Sequence, residues 1–131
     1  MYKTVLVKDL VEEGEKLIER LESRRFHIAA AFWYYFEDLM RWRLVIVFAT
    51  LVEREGPLRA YMHIQGALAQ MQAKELVVSD ISVMRKDGYE FRALQSHLRR
   101  WVRAGNRTRR PWPRSLNPSR QEDALIYRWD V

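Results

Sequence analysis

Between Ile28 and Leu51 the chain reads IAAAFWYYF, then EDLM, then RWRLVIVFATL. Two runs rich in aromatic and β-branched residues flank a short break holding two acids. That is the pattern of a β-hairpin. The spacing predicts strands over Ile28–Phe36 and Arg41–Leu51, paired antiparallel at the centre of a small sheet. In the second strand Trp42, Leu44, Ile46 and Phe48 share one face, and Arg41, Arg43, Val45 and Val47 the other. In the first, Ile28, Ala30, Phe32 and Tyr34 alternate with Ala29, Ala31, Trp33 and Tyr35. Neither face is polar along its length. This predicts one face under helices and the other partly wet, against a second copy of the chain.

A length of 131 residues points to one domain over 1–131, long enough to bury a core without crosslinks. There is no cysteine, which excludes disulfides, thiolate metal sites and cysteine nucleophiles. The N-terminal MYKTVLVKDLVEEGEK lacks the long apolar run of a signal peptide, and LVIVFATLV is too short for a membrane span. The expectation is a cytoplasmic protein with no membrane partner.

Around the hairpin the periodicity changes from two to helical. Asp9–Arg24 predicts a helix with Leu10, Gly14, Leu17, Ile18 and Leu21 on one stripe, and Asp9 and Glu12 in capping-box spacing. Gly14 weakens that helix by about 1 kcal/mol relative to alanine, and suits a close approach to the sheet. Gly56-Pro57 opens a second helix with the stripe Ala60, Ile64, Ala67, Leu68 and Met71. Glu75–Met84 predicts a third strand. Asp87 and Glu90 repeat the capping spacing before a third helix, with Phe91, Leu94, Leu98, Trp101 and Val102 as its stripe and an end near Gly105. ALIYRW, 124–129, predicts a final strand. The order α-β-β-α-β-α-β makes an α+β two-layer domain: a four-stranded sheet with about three helices, mostly on one face.

The run AAFWYYFEDLMRWRLVIVFATLVEREGPLRAYMHIQGAL, with a later strand and a terminal EDALIYRW, resembles a family of small uncharacterised bacterial α+β proteins. The shared pattern is a helix, an AxFW strand, a WRLV strand and a GP-AY helix, over roughly residues 5–85 and the last ten. The resemblance implies a fold and no activity, cofactor or catalytic residue. Residues 103–120, rich in arginine and proline, depart from it most.

That departure is also where the charge lies. The formal net charge is +6. Residues 1–91 carry 13 bases and 14 acids, whereas Arg92–Arg120 holds nine arginines and no acid. Arginine pairs bidentately with phosphate and carboxylate alike, and Trp112, between Pro111 and Pro113, is suited to stacking on a base. Arg99, Arg100, Arg103, Arg107, Arg109, Arg110, Trp112, Arg114 and Arg120 are therefore the candidate polyanion-binding residues. Two partners remain open for them: a nucleic acid or nucleoprotein, and an acidic protein. The bland alternative is a solvated helix face and loop whose arginines pair with acids of the first helix or of a second subunit.

Nothing comparable points to catalysis. His27, His63 and His97 fall on different elements, without the convergence a metal site needs. Glu37 and Asp38 at the hairpin tip, with Asp80, are the only suggestive carboxylates, and a metal-dependent nuclease or hydrolase would have to use them. No nucleophile elbow, phosphate loop or HExxH motif is present. The aromatics Phe32, Trp33, Tyr34, Tyr35, Trp42 and Phe48 read as core and interface rather than as a ligand pocket. The sequence thus predicts a non-catalytic binding or adaptor module without metal or cofactor. It further predicts a homodimer with a basic arm.

Overall fold

The computed structural model describes residues 6–103 and 124–131, with side chains of residues 99–103 excepted. The chain runs α1 (Lys8–Ser23), β1 (Ile28–Phe36), β2 (Arg41–Phe48), α2 (Leu51–Glu55), α3 (Pro57–Met71), a single 3₁₀ turn (Val78–Asp80), β3 (Ile81–Met84), α4 (Tyr89–Arg103) and β4 (Ala124–Trp129). The strands form one mixed sheet in the order β3-β2-β1-β4. The β1–β2 hairpin lies at its centre, as the apolar runs predict. β4 adds antiparallel to β1, and β3 parallel to β2. The fold is α+β.

Each face of the sheet carries its own core. On one, Trp33, Leu44, Ile46 and Phe48 meet Leu17, Ile18 and Leu21 of α1, Leu51 and Val52 of α2, and Ile64 and Leu68 of α3. On the other, Phe32, Val45 and Val47 meet Phe91 and Leu98 of α4. Most helices share one face, as expected, and among the described residues α4 alone covers the opposite one. Phe32, Phe91 and Trp129 form the aromatic cluster that seats α4, with ring centroids 5.9–6.4 Å apart. The dimer expected to cover the hairpin loses its motive here. Phe32, Trp33, Tyr35, Trp42 and Phe48 are all buried within one chain.

Two bulges set which residue faces which layer. In β1 the register shifts between Ile28 and Ala30, so Ala29 is an extra residue. Ile28 then packs on the α1 face, while Ala29 and Ala30 both lie on the α4 face. This corrects the strict alternation read from the sequence, because a bulge places two neighbours on one side. In β4 the extra residue is Tyr127, opposite the Ala31–Phe32 step. Tyr127 and Arg128 therefore both turn toward α1, and Trp129 toward α4. Arg128 makes a bidentate pair with Glu22 of α1, at 2.9 and 3.1 Å.

Several element ends differ from expectation, each through a local hydrogen bond or packing contact. β2 stops at Phe48 rather than Leu51. The Ala49 N–H turns to the His27 carbonyl at 2.9 Å, and Leu51 and Val52 enter the core from the short helix α2. Gly56, at φ +88°, breaks the chain between α2 and α3, a conformation that glycine alone takes readily. Residues 75–80 are not strand. The Glu13 carboxylate accepts the N–H groups of residues 74, 75 and 76, and the Asp80 carboxylate that of Val77. Those side chains compete with the sheet for the backbone donors. Asp9 does not cap α1, whose N-cap is Val7; it lies in the first turn, where the helix dipole favours an anion. Glu12 pairs with Lys8, and Asp87 with Arg85, and α1 has no side-chain cap at its start.

Candidate basic face and hairpin-tip cleft

The basic stretch begins on α4. Phe91 and Leu98 are buried and Leu94 partly so, while Arg92, Ser96 and His97 are exposed. The helical backbone continues to Arg103. At roughly 100° per residue, positions 99, 100 and 103 fall on the same arc of the helix as Arg92 and Ser96, opposite the buried stripe. Side chains of Arg99, Arg100 and Arg103 lie outside the described residues. So do Arg107, Arg109, Arg110, Trp112, Arg114 and Arg120 altogether, together with the expected helix end at Gly105.

The position of this arc bears on the choice between an internal and an external partner. α1 carries the densest group of acids in the chain: Asp9, Glu12, Glu13, Glu15, Glu19 and Glu22, against Lys8, Lys16 and Arg20. It packs on the sheet face opposite α4. A sheet and two layers of side chains separate the two helices, at roughly 10 Å per packed layer. Three of the α1 acids are also engaged locally. Glu13 caps residues 74–76, Glu22 holds Arg128 and Glu12 meets Lys8. Desolvation pushes the Glu13 pKa up, but the three backbone donors together outweigh it and hold the carboxyl below its ordinary range. Glu15 is shifted upward, by burial first and by neighbouring Glu19 second.

The carboxylates and histidines named from the sequence scatter. Asp80 is bound to Arg41 at 2.9 Å. His27 faces Asp130 at 3.4 Å, and His63 packs against Phe26 with the rings tilted at 53° and centroids 4.7 Å apart. Among the described residues no three metal-ligating side chains converge. His97 and the hairpin-tip acids do come together. Tyr34, Tyr35, Phe36, Glu37, Asp38 and His97 line a cleft of about 290 Å³. The Tyr34 ring sits between Phe36 (5.0 Å) and His97 (5.9 Å), edge to face with both.

Sequence reasoning assigned these six residues to turn, core and surface separately. The alternation of β1 puts Tyr34 and Phe36 on one face. Which helix brings His97 to that face is set by the long-range docking of α4, which no local pattern encodes.

No family model, curated protein or solved structure matches the chain. A functional reading therefore rests on these surfaces alone.

Proposed function

We propose that this chain is a non-catalytic binding module whose basic face docks a polyanionic partner, an acidic protein or a nucleoprotein. The face comprises the outer arc of α4 and the arginine stretch that follows it in sequence to Arg120. The observation that carries this reading is the placement of α4. The helix lies on the side of the sheet away from α1, which carries the densest acidic group in the chain. That placement supports an external anion as the partner of this face. Arg92, exposed on a helix seated by Phe91 and Leu98, contributes charge outside the core.

Nucleic acid is the second reading, favoured by Trp112 between two prolines amid arginines. Contacts would then fall mainly on backbone phosphate, with weak sequence preference and stacking at Trp112. Self-association is not needed by either reading, since Phe32, Trp33, Tyr35, Trp42 and Phe48 are buried within one chain.

The test compares the wild type with a variant carrying Arg107, Arg109, Arg110 and Arg114 as alanine. Each is titrated at low salt against a labelled single-stranded oligonucleotide and against polyglutamate. Binding of either probe by the wild type, lost in a variant with unchanged unfolding midpoint, supports the proposal. The preferred probe separates the two partners. Absence of binding to both, or equal binding by both proteins, would falsify it.

A further inference from the structure

We propose that residues 74–76 form a carboxylate-binding site which Glu13 fills as an internal ligand, and that a free carboxylate takes its place when that side chain is cut back. The site lies on the α1 face of the sheet, where Leu76 joins the core, and the inference stands independently of the reading above. Three successive backbone donors converge on one anion. The Lys74 N–H donates to Glu13 Oε2 at 3.2 Å, and the N–H groups of Glu75 and Leu76 donate to Oε1 at 3.0 and 2.8 Å. Successive N–H groups turned to one side form a concavity of partial positive charge that suits an anion. Burial raises the Glu13 pKa, but the three donors and Lys16 together lower it by more, so the charged form is the one held.

The donors are kept in line by contacts that do not involve Glu13. On one side α3 ends at Gln72 in the left-handed conformation. The Gln72 N–H donates to the Ala69 carbonyl and the Ala73 N–H to the Leu68 carbonyl, both at 3.1 Å. That pair of bonds closes the helix end and pins the chain as it leaves. On the other side Leu76 is buried, and the Val77 N–H donates to the Asp80 carboxylate at 3.2 Å. Arg41 holds Asp80 in turn, at 2.9 Å. The segment is fixed at both ends, so its donors stay aligned when the ligand is removed. Lys74 and Glu75 are exposed, which gives a solute access. Truncating Glu13 to alanine removes one methylene and the carboxylate, which is the size of acetate. The contact between α1 and the α3–β3 connection is then a binding event, separable from the fold that presents the donors.

The experiment uses the full chain with Glu13→Ala, and the wild type and Glu13→Gln as controls. Melting temperature is measured at neutral pH in sodium acetate, in sodium chloride of equal ionic strength, and with acetamide as a neutral isostere. The backbone amides of residues 74–76 are followed by NMR. The expected result is a saturable rise in the melting temperature of Glu13→Ala with acetate alone, as for any ligand that binds the folded state. Saturable shifts of the three amides should accompany it over the same concentrations. The wild type and Glu13→Gln should gain no more from acetate than from chloride, because their own side chains fill the site. If Glu13→Ala is unfolded in chloride, acetate-dependent refolding is the readout. No acetate-specific rise or refolding, an equal rise in the wild type, an equal effect of acetamide, or unmoved amides at residues 74–76 would each overturn the proposal.

Discussion

At the scale of single residues the structure turns on a buried contact between α1 and the sheet. The Trp33 indole N–H donates to the Tyr127 hydroxyl at 2.8 Å, and that hydroxyl donates to the Val11 carbonyl at 2.5 Å. Burial pushes the Tyr127 pKa up, so the phenol stays a donor throughout the ordinary pH range. Gly14 lets α1 come this close. A Cβ there would stand 2.8 Å from the Tyr127 hydroxyl and 3.1 Å from the Trp33 nitrogen. Gly14→Ala should therefore be destabilising. Overpacking of about 1–3 kcal/mol outweighs a propensity gain of about 1 kcal/mol. Tyr127→Phe should cost about 1–3 kcal/mol by leaving the indole donor unsatisfied. Urea denaturation checks both, and a stabilised Gly14→Ala would contradict the packing described. Glu13 makes a pH prediction. Its folded-state pKa is depressed, so the stability it contributes is complete above the unfolded carboxyl value and is lost as pH falls through the folded value. The melting temperature of Glu13→Gln should thus fall less on acidification than that of the wild type. Parallel curves would remove Glu13 from the account.

Among the elements, the central hairpin was legible because its residues state their own preference. Aromatic and β-branched runs around EDLM admit few alternatives, and strand pairing from Ala30↔Val47 to Phe36↔Arg41 follows them. The stripe of α3 was legible for the same reason: Ala60, Ile64, Ala67 and Leu68 are all buried. What failed was decided by distant partners. The segment 75–80 has strand composition, yet Glu13, some sixty residues earlier, takes its donors. The alternation at Ile28–Ala30 was broken by a bulge with no glycine or proline to announce it. The cleft was illegible because His97 reaches Tyr34 only once α4 is seated by Phe91 and Trp129. The hairpin itself yields a stability prediction. Ile46 is fully buried at the centre of the α1-side core, and Ile46→Ala should cost roughly 2–5 kcal/mol in denaturant unfolding. A loss below about 1 kcal/mol would mean that this face is not the close-packed layer described.

At the scale of the molecule, the acid-rich helix α1 packs on one face of the sheet, and α4, where the basic stretch begins, on the other. The proposed polyanion docking depends on that separation, and salt is its natural probe. For single-stranded nucleic acid, the logarithm of the binding constant falls with the logarithm of salt concentration by about 0.7 per phosphate neutralised. The decisive measurement is that slope for an oligonucleotide or polyglutamate probe, on the wild type and on the variant with Arg107, Arg109, Arg110 and Arg114 replaced by alanine. The account predicts a steep negative slope for the wild type. With the oligonucleotide, the variant's slope should be shallower by up to about 3. A flat slope, or the same slope in both proteins, would contradict it.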